Sequence, residues 1–171
     1  MMKSKIQLCL FTIGLLMSLS VNALNINRPV PICNLKSMDN GQTYNLQQFR
    51  GQVIYVDFWA SWCTSCLVSF PFMNQLNADL KENGLQVIAI NMDETPSNAE
   101  EFLRDHTAKF NIATDTNEQC AKAFALKAMP SSYLVDRNGM IRYEHIGFKA
   151  GETEQLLSVI KQLLAEPIPA H

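Results

Sequence analysis

A strand-like run of almost unbroken apolar character, Val53-Ile54-Tyr55-Val56-Asp57-Phe58-Trp59, leads through Ala60-Ser61-Trp62 into Cys63-Thr64-Ser65-Cys66 and a helical pattern. A strand apolar on both sides suits the buried centre of a sheet covered by helices. On a helical first turn, residues i and i+3 share a face, so the sulfurs of Cys63 and Cys66 can meet without unwinding the backbone. Cys63 falls at or before the first helical residue, where free N–H groups and the helix dipole favour an anion. Such a position lowers a cysteine pKa from about 8.5 into the range of roughly 3.5–7.5, and the thiolate is the attacking species. Cys66, a turn deeper, is placed to act second and resolve a mixed disulfide. The competing readings are a permanently closed disulfide and half of a zinc site. A zinc site needs a second ligand pair, and no second Cys-x-x-Cys or His-x-x-x-His occurs. The pattern points to thiol–disulfide exchange.

The rest of the chain alternates strand and helix patterns. Residues 30–49 read as an extended N-terminal segment with a turn at Asp39-Asn40-Gly41 between two short strands. Residues 63–82 read as a helix kinked at Pro71 and ended by Asn83-Gly84. Leu85–Asn91 is a second apolar strand. Ser97-Asn98-Ala99-Glu100 has the form of a capping box opening a helix that runs to His106. A short strand at 110–114 and a short helix at 117–126 follow. Strands at 133–136 and 141–145 flank the turn Arg137-Asn138-Gly139-Met140. Leu156, Leu157, Ile160, Leu163 and Leu164 give the last helix one apolar face. This order predicts an α/β fold with a mixed sheet flanked by helices.

The first 23 residues have the form of a leader. Lys3 and Lys5 precede an apolar stretch over residues 6–21, and Val21-Asn22-Ala23 supplies small residues for cleavage. An uncleaved anchor is the alternative, although a membrane span needs about 20 apolar residues. Residues 24–171 then form one domain, a length that suits a single core. Export implies an oxidising compartment, here the periplasm. Loss of Lys3 and Lys5 takes the formal charge from −2 to −4, and no basic patch marks a nucleic-acid surface.

At four places the chain resembles the thioredoxin superfamily, and within it the exported TlpA/ResA/CcmG-type thiol–disulfide oxidoreductases. These are Trp59-Ala60-Ser61-Trp62-Cys63-Thr64-Ser65-Cys66, Leu85 through Glu94, Met129-Pro130-Ser131-Ser132-Tyr133-Leu134-Val135-Asp136, and Asn138-Gly139. The likeness spans roughly residues 29–165. It implies a thioredoxin fold with an N-terminal β extension, a cis bond before Pro130 beside the cysteine turn, and backbone groups of Met129 open to an extended substrate. Trp59 and Trp62 frame the cysteine turn and are expected to pack and shield it, with Trp62 also a candidate to contact substrate. Asp57 matches the buried acid behind the cysteines. Burial raises a carboxyl pKa, which suits proton exchange with Cys66, whereas a solvated strand-edge Asp would have no such role. One departure stands out: the glutamate common in this group three residues after the second cysteine is Ser69 here. That weakens a link to cytochrome c maturation and leaves the redox chemistry untouched.

The expected partners are disulfide-bearing substrate proteins and a membrane electron donor of DsbD or CcdA type, needed because an oxidising compartment offers no glutathione-like pool. A monomer without a cofactor is expected, as no dimerisation module is evident. The same cysteines run in reverse would make a disulfide donor or isomerase. With the leader removed, assigning Cys63 to Cys66 leaves Cys33 and Cys120. A structural disulfide between them is the expectation; two separate buried thiols and a second redox relay are the alternatives. His106 and His145 raise a copper-binding alternative. Asp93 and Glu94 read as a solvated loop.

Overall fold

The computed structural model describes residues 27–169, so the expected leader lies outside the described residues. Eight strands make one sheet: β1 Arg28–Pro29, β2 Leu35–Ser37, β3 Thr43–Tyr44, β4 Val53–Trp59, β5 Leu85–Asn91, β6 Asn111–Thr114, β7 Ser131–Val135 and β8 Met140–Ile146. Their order is β1-β8-β7-β4-β5-β6-β2-β3. β4, β5 and β6 run parallel, and every other neighbouring pair is antiparallel. The helices are α1 Cys66–Leu80, α2 Pro96–Asp105, α3 Gln119–Phe124 and α4 Thr153–Ala165. This is the mixed α/β architecture expected of a thioredoxin fold. Among the described residues no helix is long and apolar enough to cross a membrane.

All seven residues of β4 are buried, as its unbroken apolar run requires. Alternation along the strand divides the core into two layers. Val53, Tyr55 and Trp59 face a layer that takes in Phe70, Met73 and Leu76 of α1, Phe102 of α2, and Ile160 and Leu163 of α4. Ile54, Val56 and Phe58 face the other layer, with Phe124 of α3, Leu35 and Leu46 of the N-terminal segment, Cys33 and Cys120.

Several boundaries differ from the sequence reading. α1 starts at Cys66 rather than Cys63, because the amides of Cys66, Leu67 and Val68 donate to the carbonyls three residues earlier, making a tight turn first. Pro71 sits exposed inside α1, which continues to Leu80. α2 is not opened by a Ser97 capping box: Pro96 takes the first helical position, where its missing N–H and fixed φ fit. The helix expected at 117–126 shrinks to α3. Asn117 and Glu118 adopt φ of 71° and 55°, which breaks it, and the Asp115 carboxylate instead accepts the amides of Cys120 and Ala121 at 3.0 and 2.8 Å. β7 opens at Ser131, two residues early, and its hairpin to β8 is pinned by Asp136 Oδ1, which accepts the amides of Asn138 and Met140.

Candidate active site

Strand β4 delivers its last residues to one end of the sheet, where β5 and β7 end or begin beside it. Cys63 and Cys66 are disulfide-bonded there, with Cα atoms 5.3 Å apart. Cys66 is fully buried, Cys63 is 5% exposed, and Trp62 before it is 67% exposed. The more accessible sulfur is therefore the one expected to attack. The Cys63 sulfur lies 3.7 Å from the Ser65 hydroxyl, a neutral neighbour. Behind the pair, Trp59, Phe70 and Phe102 stack at centroid separations of 4.9–5.0 Å and close the turn to water from within.

The turn is anchored by a residue that the sequence reading left in a solvated loop. The Asp93 carboxylate accepts the Ser61 amide at 3.0 Å and the Ser61 hydroxyl at 2.8 Å, and the Asn91 side-chain amide at 2.7 Å. The Asp93 amide in turn donates to Asn91 Oδ1. A charged acceptor gathering these donors ties the end of β5 to the residue two places before Cys63. The signal available in the sequence was the Asn91-x-Asp93 spacing at a strand end, where short polar side chains bond nearby backbone.

The Met129–Pro130 peptide bond is cis. Phe58 pairs with Ser131, which brings Pro130 level with Trp59, so the cis bond and the cysteine turn share one end of adjacent strands. Met129 packs against both core layers, and the Pro130 carbonyl accepts the Gly147 amide at 2.8 Å. Gly147 has φ of 83°, which favours glycine at this turn. Trp62, Leu67, Val68 and Ile146 are exposed around this end. An apolar groove of about 460 Å³ between α1 and α4, lined by Val68, Pro71, Phe72, Phe148 and Leu157, continues that surface.

Asp57 is buried at 1% exposure on the face of β4 that meets α1, the helix that begins with Cys66. Burial pushes its carboxyl well above the ordinary 3.8. Its Oδ2, the Tyr55 hydroxyl and the Trp59 indole N–H, all on the same strand face, have no hydrogen-bond partner. Burial first, and then the neighbouring Asp57, raise the Tyr55 hydroxyl as well; that hydroxyl leans toward Ser132 without reaching hydrogen-bond geometry. At the position of the missing glutamate, the Ser69 hydroxyl donates to the Cys66 carbonyl at 3.0 Å.

Cys33 and Cys120 are joined by the second disulfide. It belongs to the core layer on the opposite side of the sheet from Cys63 and Cys66. The two histidines stay apart: His106 caps the end of α2 against Phe102, and His145 on β8 pairs with Glu152 at 3.0 Å.

A thioredoxin sheet with a Cys-x-x-Cys pair at the head of its first long helix and a cis-proline alongside defines a class, the protein thiol–disulfide oxidoreductases. The chain belongs to the Redoxin family, whose model matches residues 26–160. It is similar to the thiol–disulfide oxidoreductase ResA of Bacillus thuringiensis subsp. konkukian, with 32% identity over 124 residues that cover 72% of this chain and 70% of ResA. A Chlorobium tepidum protein assigned as thiol:disulfide interchange protein DsbE superposes with a TM-score of 0.78 at 37% identity, covering 81% of this chain and 97% of that one. A Bacteroides thetaiotaomicron protein shares the fold, with a TM-score of 0.74 at 24% identity over 82% of this chain and 90% of its own. These likenesses place the chain with the TlpA/ResA/CcmG type.

Proposed function

We propose that the protein is an exported reductase of disulfides in periplasmic proteins. Cys63 attacks the substrate disulfide, and one substrate sulfur leaves as a thiolate that takes up a proton. Cys66 then attacks the Cys63 sulfur of the mixed disulfide, releasing the second substrate sulfur as thiolate and closing the Cys63–Cys66 bond. Asp57 takes the Cys66 proton for that second step and returns it when the pair is reduced again. Trp62 and the backbone of Met129, with Pro130 fixing its course, hold an extended substrate segment by strand addition. The exposed apolar side chains around the turn add contact area. Cys33–Cys120 serves the fold rather than the electron path, which its position across the sheet supports. Recharging falls to a membrane donor of DsbD or CcdA type, because a periplasm offers no reducing thiol pool.

The observation that carries the reducing direction is the setting of the Cys63 sulfur. A strong oxidant owes its potential to a stabilised reduced form. Here the intervening Thr64-Ser65 brings no cation, and the contact at the sulfur is a neutral hydroxyl. Without a cation beside it, the Cys63 thiolate is stabilised by the head of α1 alone, less than a strong oxidant requires, which supports a low potential. Equilibration of the Cys63–Cys66 pair against glutathione and dithiothreitol tests this. A potential near about −270 mV or below supports the reductase, and one near about −120 mV would make the protein a disulfide donor.

A further inference from the structure

An acid that accepts a proton from Cys66 in each cycle has to pass it on before the next, and Asp57 is sealed in the core. The strand register gives it one polar neighbour after another. Ser132 on β7 lies directly opposite Asp57, and His145 on β8 lies directly opposite Ser132. Directly opposed residues on adjacent strands share a face, with the strands about 4.8 Å apart. The irregularity in the β7–β8 pairing falls between Leu134 and Val135, so it leaves this row in register. The next row along, Tyr55, Leu134 and Tyr143, is interrupted at its centre by the apolar Leu134, so it makes no second continuous polar line.

Both ends of the line have the right character. At the inner end the Asp57 Oδ2 and Tyr55 hydroxyl lack partners, and Ser132 is 3% exposed. At the outer end the His145 side chain is 14% exposed, and its Nε2 lies 3.0 Å from a Glu152 carboxylate whose side chain is 35% exposed. The Lys149 amide donates to that carboxylate and holds it in place. Tyr143 stacks on the imidazole with 11° between the planes. Glu152 and Tyr143 lie against His145, with Ser132 opposite it in register, while Tyr55 and the Trp59 indole share the strand face of Asp57, with Ser132 opposite.

We infer that Ser132 and His145 form the proton route between Asp57 and solvent at Glu152. The inference rests on the proton-transfer role of Asp57 proposed above. The Cys66 thiol gives its proton to the Asp57 carboxylate as its sulfur attacks Cys63. Neutral Asp57 then gives that proton to the Ser132 oxygen while the Ser132 hydroxyl proton passes to one imidazole nitrogen of His145. The other imidazole nitrogen releases a proton to Glu152 or water. No electrons move along the row, and the same steps reverse when the disulfide is reduced. His145 therefore acts as a positioning residue that works through Asp57.

The test is rapid-mixing kinetics of mixed-disulfide resolution, followed by tryptophan fluorescence from pH 5 to 9. It compares the wild type with Asp57→Asn, Ser132→Ala, Ser132→Thr, His145→Gln and His145→Ala, and with the double variants that include Asp57→Asn. Ser132→Ala and His145→Gln should slow resolution by about tenfold, a fraction of what proton transfer contributes to such steps. Ser132→Thr should keep the wild-type rate, and imidazole in solution should restore His145→Ala. In the Asp57→Asn background neither change should slow the step further, and the reduction potential should not move. Wild-type rates in both Ser132→Ala and His145→Gln, with Asp57→Asn slow, would overturn the route and leave the role of Asp57 standing. Equal slowing with and without Asp57 would overturn it too. A wild-type rate in Asp57→Asn would remove the role of Asp57 and the route together.

Discussion

Asp57 shows what one side chain can impose on both stability and chemistry. Its carboxyl is held well above 3.8 by burial, whereas the unfolded chain ionises it near that ordinary value. As the pH rises above about 4, the unfolded state gives up a proton that the folded state keeps, so this group makes folding less favourable with each step up to its folded pKa. Asp57→Asn removes that loss. The variant should match the wild type in thermal unfolding at pH 3.5 and exceed it increasingly toward pH 7, by about 1.4 kcal/mol per unit of pKa elevation. Calorimetry across that range checks it, and a gap that fails to open with pH would show that Asp57 is solvated. The residue was legible in the sequence because Val56 and Phe58 imply burial. Ser132 and His145 were not: their relation to Asp57 depends on register across three strands, which local pattern does not specify.

At the level of elements, two connections tie together segments far apart in the chain. The hydrogen bonds between Asp93, Asn91 and Ser61 splice the β4–α1 turn to the end of β5. Asp93→Ala should expose the Ser61 amide, raising its hydrogen-exchange rate at least about tenfold and lowering stability by about 1–3 kcal/mol. Exchange mass spectrometry or NMR reads the first, and denaturant unfolding the second. The other connection is Cys33–Cys120, which closes a separation of 87 residues and fastens the N-terminal segment to α3. Replacing both cysteines with alanine should lower stability by about 2–4 kcal/mol in equilibrium unfolding, with the Cys63–Cys66 potential unchanged. Strands β4 and β5 and the hairpin β7–β8 could be read from apolar runs and turn residues. The start of α1 and the shortening of α3 could not, since a tight turn at Cys63 and left-handed φ at Asn117 and Glu118 are set by packing rather than by propensity.

For the molecule as a whole, the sheet keeps its two disulfides in separate layers. In the protein expressed from residue 24, mild reduction of the folded state followed by alkylation should label two cysteines, Cys63 and Cys66, and leave Cys33–Cys120 intact until the chain unfolds. Peptide mass mapping counts them, and labelling of all four under native conditions would mean that the second bridge is open to exchange. The 87-residue separation also has a consequence for how the molecule is made. Of the four cysteines in the two bridges, a chain made from its N-terminus presents Cys33 first, then Cys63 and Cys66, and only much later Cys120. During that interval the early cysteine has two wrong partners within reach and no right one. Closure of the short Cys63–Cys66 loop takes both competitors out of circulation while Cys33 waits.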